Sequence, residues 1–181
     1  FMTQGEANGH DPAILENIWK DWEKFASYAF NKSHATCYSW VAYQTAYLKA
    51  HYPAEFMAAV LNSSIRDNKE VVFMIEECKR MKLDVLGPNI NESEYKFTVN
   101  KKGQICFGMG AVKSVGEVVI QAITDERNAN GEFKDFADFL IRMSGKGVSR
   151  KSIESLAGAG VFDCFEGMHR AMFYHIAEGD K

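Results

Sequence analysis

Residues 30–53, FNKSHATCYSWVAYQTAYLKAHYP, decide the fold class of this chain. A polar turn leads into a segment in which mostly apolar or aromatic residues recur every three or four positions, and these are Tyr38, Val41, Ala42, Thr45, Leu48 and Tyr52. Because an α-helix has about 3.6 residues per turn, this spacing predicts a long amphipathic helix that ends at Tyr52-Pro53. We expect its apolar face to hold the turn against a core.

The start of this helix is a predicted anion site. The first backbone N–H groups of a helix have no partner inside it, and the helix dipole places partial positive charge there. Lys32 adds a full charge beside Asn31 and Ser33, so the turn suits a phosphate or triphosphate. The plainer alternative is that Ser33 is an ordinary N-cap, since Ser and Asn are favoured in that position.

Composition limits the partners of the chain. Its 181 residues, 46% hydrophobic, suffice for one or two domains with a sizeable core. The formal net charge is −3, so DNA contacts have to use local clusters of Lys and Arg. The four cysteines include no C-x-x-C pair, which is typical of reduced cytosolic thiols and predicts no metal site.

The sequence contains no apolar run of about eighteen residues and no signal-peptide pattern, so it predicts neither a membrane partner nor secretion. We expect a cytoplasmic protein. The start at Phe1, with a polar lead-in, is typical of a piece of a larger protein.

The pattern along the chain predicts a mainly α fold in three parts. Residues 1–83 form a helical unit, with helices over 11–25, 33–52, 53–63 and 69–82, the last capped by Asn68. Residues 84–107 form a connecting segment with a small β-hairpin, because apolar residues alternate on both sides of the turn Asn100–Gly103. We expect no strands elsewhere. Residues 108–181 form a bundle of short helices over 117–128, 133–143, 149–157 and 167–177.

The residues VKSVGE, Val112 to Glu117, resemble a helix-hairpin-helix element. Such a hairpin exposes backbone N–H groups that bind a DNA phosphate without reading sequence, which makes Lys113, Ser114, Val115 and Gly116 candidate DNA contacts. Ser114 stands where the first glycine is usual, and a positive φ there would cost a serine about 1 kcal/mol. We expect a distorted hairpin, or one that uses the hydroxyl. A purely structural turn is the alternative.

The residues SGKGVSRK, 144–151, form a second basic loop before a helix. Lys146, Arg150 and Lys151 are candidate phosphate contacts, related to the first hairpin in a tandem arrangement. A solvated basic loop remains the alternative.

Longer matches point to one family. The segment from Phe25 to Asn62, with FNKSHA and AYQTAYLKAHYPAEF, resembles the fingers region of the bacterial replicative DNA polymerase III alpha subunits, which are C-family polymerases. IEECKRM and GPNINES continue the resemblance, which extends to about Phe165. It implies that the chain is a fragment covering part of the fingers domain and the following helix-hairpin-helix region.

The resemblance also implies roles for the first helix. Five residues occupy positions that face the incoming nucleotide and the nascent base pair, and these are Asn31, Lys32, Ser33, His34 and Tyr38. The whole enzyme would be a DNA-directed DNA polymerase, a nucleotidyltransferase of the bacterial cytoplasm. Its implied partners are primer-template DNA, deoxynucleoside triphosphates, the sliding clamp, the proofreading exonuclease and the clamp loader of the replisome.

The catalytic carboxylates of such an enzyme lie in a palm domain with a P-D-x-D-x-D pattern, which holds two Mg²⁺ ions. Nothing in this sequence matches that pattern, so we expect no catalytic residue, no metal site and no cofactor in the fragment, with Mg²⁺ bound by the palm of the full-length enzyme. The fragment is not expected to polymerise alone.

Two other classes of protein stay open. A helix-hairpin-helix DNA glycosylase uses an aspartate some distance past its hairpin, where Asp135 and Asp138 lie, but the sequence lacks a lysine nucleophile pattern beside it. A noncatalytic DNA-binding or protein-interaction module, with incidental basic loops, is the other alternative.

Overall fold

The computed structural model describes residues 1–28 and 32–173, so Asn31 and the residues beyond Phe173 lie outside the described part. The chain divides into two compact units, Phe1–Leu48 and Lys49–Lys181. The predicted mainly α fold is confirmed. The functional boundaries predicted at residues 83 and 107 are a separate matter and stay predictions.

The first unit contains α1 (Met2–Ala7), α2 (Pro12–Tyr28) and most of α3 (Lys32–His51). The sequence did not predict α1. It packs against α2 because Gly5 has no side chain: a Cβ there would lie 2.6 Å from Cδ1 of Leu15. Leu15 is buried at this contact.

The expectation that α3 packs an apolar face against a core is wrong for the described residues. Its side chains are exposed except for Ala35 and Lys49, which are half-buried, and Tyr38 is 65% exposed. The aromatic rings contact one another along the helix instead, with the centroids of Trp40 and Tyr43 at 5.9 Å. Helical periodicity determines which residues share a face, but not which element covers that face.

The second unit begins with two helices on a small sheet. Its elements are α4 (Pro53–Ser63), α5 (Asn68–Arg80), β1 (Val85–Leu86), β2 (Thr98–Val99) and β3 (Ile105–Cys106). Strands β2 and β3 form the predicted antiparallel hairpin, with Val99 opposite Ile105. Strand β1, which the alternation around the turn Asn100–Gly103 does not predict, pairs parallel with β3 and gives the order β1-β3-β2. Two residues are too few to show an alternating pattern.

The rest of the second unit consists of short helices. A 3₁₀ turn (Met109–Ala111) is followed by α6 (Glu117–Asn130), α7 (Phe136–Met143), α8 (Arg150–Ala159) and a second 3₁₀ turn (Arg170–Phe173). The helix predicted over 167–177 is therefore a 3₁₀ turn as far as the described residues extend. Of the helices in those residues, none is long and apolar enough to cross a membrane.

Side-chain caps set three helix starts that the sequence placed differently. Asp67, not Asn68, caps α5, since its carboxylate accepts hydrogen bonds from the N–H groups of Lys69 and Glu70. Asp135 caps α7, which begins at Phe136 rather than at residue 133. Ser149 is the cap of α8 rather than its first residue. Competition between neighbouring Asp, Asn and Ser for the cap position shifts a helix by a few residues.

Two buried clusters hold the second unit together. The first joins α4 and α5 to the sheet through Met57, Leu61, Val71, Cys78, Phe97 and Ile105. The second joins α6, α7 and α8 through Ile120, Ile123, Phe133, Phe139, Leu156 and Phe162. The hairpin predicted to bind phosphate lies at the entry to α6, where its valines reach the second cluster.

Candidate nucleic-acid interface

The predicted phosphate hairpin is formed. Ser114 has φ +66°, the left-handed conformation that a glycine would adopt there without strain. Gly116 is the N-cap of α6 and has extended backbone. The left-handed turn is therefore kept, although a serine replaces the glycine.

The hairpin is anchored on one side and open on the other. Val112 is buried and Val115 is half-buried against the second cluster, whereas Lys113, Ser114 and Gly116 are exposed. Within the described residues, no protein group accepts a hydrogen bond from the N–H groups of Lys113, Ser114 or Gly116. These donors can bind an anion in solvent.

Backbone hydrogen bonds join Met109 and Gly110, just before the hairpin, to residues 94 and 95, and a buried arginine fixes the residues that precede those. The N–H groups of Met109 and Gly110 donate to the carbonyls of Glu94 (2.8 Å) and Tyr95 (2.9 Å). Arg127 of α6 is buried and donates to the carbonyls of Ile90 (3.1 Å) and Ser93 (2.9 Å). Arg127 could not be found from the sequence, since a cation in an amphipathic helix gives no sign that it is buried.

The hairpin forms one wall of a cleft of about 760 Å³. The opposite wall is the turn between α4 and α5, which places Arg66, Asn68 and Lys69 along the cleft. Arg66 and Lys69 could not be found from the sequence either, because they lie far from the hairpin in the chain and no spacing connects them to it.

The second basic loop also has hairpin-like geometry. Gly145 and Gly147 have φ of +75° and +78°, and Ser149 then caps α8. Arg150, whose side chain is 85% exposed, pairs with Glu154 at 2.9 Å, and Lys151 is exposed. Both cations point into solvent at the first turn of α8.

Lys146 differs from its neighbours because it has a partner inside the protein. Its Nζ pairs with Oε2 of Glu126, while Nε of Arg142 donates to Oε1 of the same carboxylate at 3.0 Å. Hydrogen bonds from Lys146, Arg142 and Asn130, in that order, lower the pKa of Glu126 to about 2. Lys146 therefore connects the basic loop to α6 through its ion pair with Glu126.

The residues predicted to face a nucleotide lie at the start of α3, except for Asn31, which is outside the described residues. The described helix begins at Lys32, so Lys32, Ser33 and His34 lie in its first turn. The rings of His34 and Tyr38 lie one turn apart with centroids at 4.3 Å and planes at 42°. Both side chains are exposed. The pair presents two exposed aromatic rings, tilted against each other, in the first two turns of the helix.

The carboxylates considered for catalysis have structural roles. Asp135 caps α7, and Asp138 accepts hydrogen bonds from the N–H of Lys134 (3.1 Å) and from Arg142 (3.2 Å). These bonds, the one from Lys134 first, hold the pKa of Asp138 below its ordinary value. Across the described residues, no group of three or more His, Cys, Asp or Glu could hold a metal ion. The glycosylase alternative thus finds no support at these aspartates.

Comparison with known proteins gives a family and a set of relatives. The family described as "Helix-hairpin-helix motif" matches residues 82–172, half of the chain. DNA polymerase III subunit alpha of Vibrio cholerae is 47% identical over 171 residues, which are 94% of this chain and 15% of that protein. The Pseudomonas aeruginosa subunit is 46% identical over 90% of this chain, and the Escherichia coli subunit 45% over 94%.

The predicted resemblance to the polymerase III alpha subunits is therefore confirmed. The chain spans about 15% of the length of the curated relatives it matches.

Proposed function

Since the chain belongs to the helix-hairpin-helix family, we propose that its hairpin binds the phosphate backbone of duplex DNA without reading the base sequence. We propose further that it does so as a fragment of a DNA polymerase III alpha subunit, a DNA-directed DNA polymerase that carries out template-directed synthesis. The observation that carries the proposal is the exposed left-handed turn at Ser114, whose neighbouring N–H groups have no acceptor in the described protein.

Contacts to phosphate through backbone N–H groups position a protein on DNA but carry no sequence information. The hairpin offers such donors at Lys113, Ser114 and Gly116, with the ammonium group of Lys113 beside them. The buried Val112 and the half-buried Val115 keep the donors in place before DNA binds, so little conformational entropy is lost on binding. The second basic loop, with Arg150 and Lys151, is proposed as a further phosphate contact.

The first turn of α3 is proposed to contact the incoming deoxynucleoside triphosphate. Lys32 and Ser33 lie in that turn, and Asn31 precedes it. Lys32 would neutralise phosphate charge, while the ring pair of His34 and Tyr38 would stack near the nascent base pair. The catalytic carboxylates and Mg²⁺ belong to the palm of the full-length enzyme. Its other proposed partners are the sliding clamp, the proofreading exonuclease and the clamp loader, at the replisome in the bacterial cytoplasm.

The hairpin proposal is tested with the 181-residue chain and a fluorescently labelled duplex at low salt. We expect Lys113→Glu to weaken binding, because it puts a negative charge among the phosphate donors. Lys102→Glu, the same change on the exposed turn between β2 and β3, is the matched control and should leave binding nearly unchanged. Equal effects of the two substitutions would contradict the proposal, and so would the absence of any binding by a folded wild-type chain.

A further inference from the structure

The cleft beside the hairpin has cations on both walls. Arg66 and Lys69 lie on the turn between α4 and α5, and Lys113 lies on the hairpin. All three side chains are exposed, with Arg66 at 83%. The fold of the second unit brings these two segments, which are distant in the sequence, to the rim of one cavity of about 760 Å³.

The negative charges of the cleft are fewer and partly committed. The carboxylate of Asp67 accepts the N–H groups of Lys69 (3.0 Å) and Glu70 (3.3 Å), so it serves the helix start rather than the cations. Glu117 faces Arg66 across the cleft, but Oε2 and Nη2 are 4.0 Å apart and both side chains are exposed. An exposed pair at this distance is weak and screened by salt, so a phosphate can displace it.

Tyr95 also lines the cleft and lies close to Gly110, just before the hairpin. A Cβ at Gly110 would lie 2.8 Å from Cε2 of Tyr95, so the absence of a side chain there lets the chain run against the ring. The hairpin and the cations of the turn between α4 and α5 therefore line the same cavity.

We infer that this cleft is a second DNA-backbone site, in which Arg66 and Lys69 contact phosphates of the strand that the hairpin holds. The inference rests on the proposed function of the hairpin. A DNA strand bound at the exposed hairpin donors would continue past the cleft. There it would meet Arg66 and Lys69 on the turn between α4 and α5. Arg66 would exchange its weak pair with Glu117 for a charge-assisted, bidentate contact to a phosphate. The two walls of the cleft would thereby bind the same DNA strand.

The salt dependence of binding tests the inference. Each phosphate contact contributes about 0.9 to the slope of log K against log salt. We expect Arg66→Ala combined with Lys69→Ala to reduce that slope by about 1.8. The affinity for DNA falls between about 50 and about 200 mM salt, and this change makes the factor of that fall roughly tenfold smaller. Lys101→Ala combined with Lys102→Ala, which removes the same charge from the turn between β2 and β3, should leave the slope unchanged.

The outcomes separate the inference from the proposed function. If wild-type chain binds duplex DNA and Lys113→Ala lowers the slope, while the Arg66 and Lys69 variant behaves like the control, the inference is overturned and the hairpin function stands. If the folded wild-type chain binds no DNA, the proposed function of the hairpin is contradicted, and the inference that rests on it is overturned as well. If the cleft variant keeps the wild-type slope but loses binding of a free deoxynucleoside triphosphate, the cleft is a nucleotide site and the inference is overturned. Circular dichroism melting confirms that each variant is folded.

Discussion

Lys146 and Glu126 form an ion pair in which the carboxylate is only 8% exposed while the lysine side chain stays 41% exposed. Arg142 from α7 donates to the other oxygen of the same carboxylate. The buried carboxylate of Glu126 thus connects α6 both to α7 and to the basic loop that follows α7. Part of the charge that makes this loop basic is used inside the protein.

The first prediction concerns the pH dependence of this network. Hydrogen bonds from Lys146 and Arg142 lower the pKa of Glu126 from 4.5 to about 2. Because the folded-state pKa is depressed, the stabilisation is present above pH 4.5 and is lost as the pH falls toward 2. We expect Glu126→Gln to lower the free energy of unfolding at neutral pH and to flatten its decline in acid. Urea unfolding at several pH values measures both effects, with Glu132→Gln at an exposed position as the control. An unchanged acid profile in Glu126→Gln would contradict the assignment.

The second prediction divides the basic loop between stability and DNA binding. Because Lys146 is held by Glu126, we expect Lys146→Ala to lower stability and to change the salt slope little. Arg150→Ala combined with Lys151→Ala should reduce the slope by about 1.8. Parallel melting and DNA-binding titrations give the comparison. A slope change for Lys146→Ala as large as that for the pair would show that its salt bridge opens on DNA.

The third prediction concerns the strained serine of the hairpin. Ser114 has φ +66°, so Ser114→Gly relieves about 1 kcal/mol of strain, partly offset by the larger entropy of the unfolded chain. We expect a net gain of at most about 0.5 kcal/mol with DNA binding retained, since the N–H donors remain. Ser144→Gly is the control, because Ser144 has φ −59° and should lose stability with the added glycine. Equal losses in the two variants would contradict the strain argument.

The fourth prediction concerns the junction between the sheet and the hairpin. A Cβ at Gly108 would lie 2.6 Å from the backbone nitrogen of Phe97, which is held in place by its hydrogen bond to Oδ1 of Asn62 (2.8 Å). We expect Gly108→Ala to destabilise the chain by about 2 kcal/mol or more. Gly87→Ala has nothing within 4 Å of its Cβ and should be nearly neutral in the same urea unfolding experiment. Similar stabilities for the two variants would show that the junction can relax.

Local patterns predicted most of the helices of this fold. The start of α4 at Pro53 follows from the proline itself, and the hairpin of β2 and β3 follows from alternation around the turn Asn100–Gly103. Strand β1 was not predicted, because a two-residue strand is determined by its pairing partner and not by a pattern of its own. The start of α7 moved from residue 133 to Phe136, since Phe133 is buried and Asp135 takes the cap.

The candidate site was predictable where its residues are contiguous and not where they are brought together by folding. The hairpin residues were found from a six-residue motif, and the left-handed φ of Ser114 follows from the glycine that the motif normally has there. Arg66 and Lys69 join the hairpin only because α4 and α5 pack on the sheet. The pairing of Lys146 with Glu126 likewise joins two helices whose contact no local pattern encodes.

The most direct test of the central claim is the binding of the wild-type chain to two labelled duplexes of equal length and unrelated sequence, titrated over a range of salt concentrations. Phosphate contacts from a fixed hairpin predict dissociation constants that agree within about twofold between the sequences, and a linear fall of log K with log salt. Binding that depends on base sequence and not on salt, or no binding by the folded chain at low salt, would contradict the account.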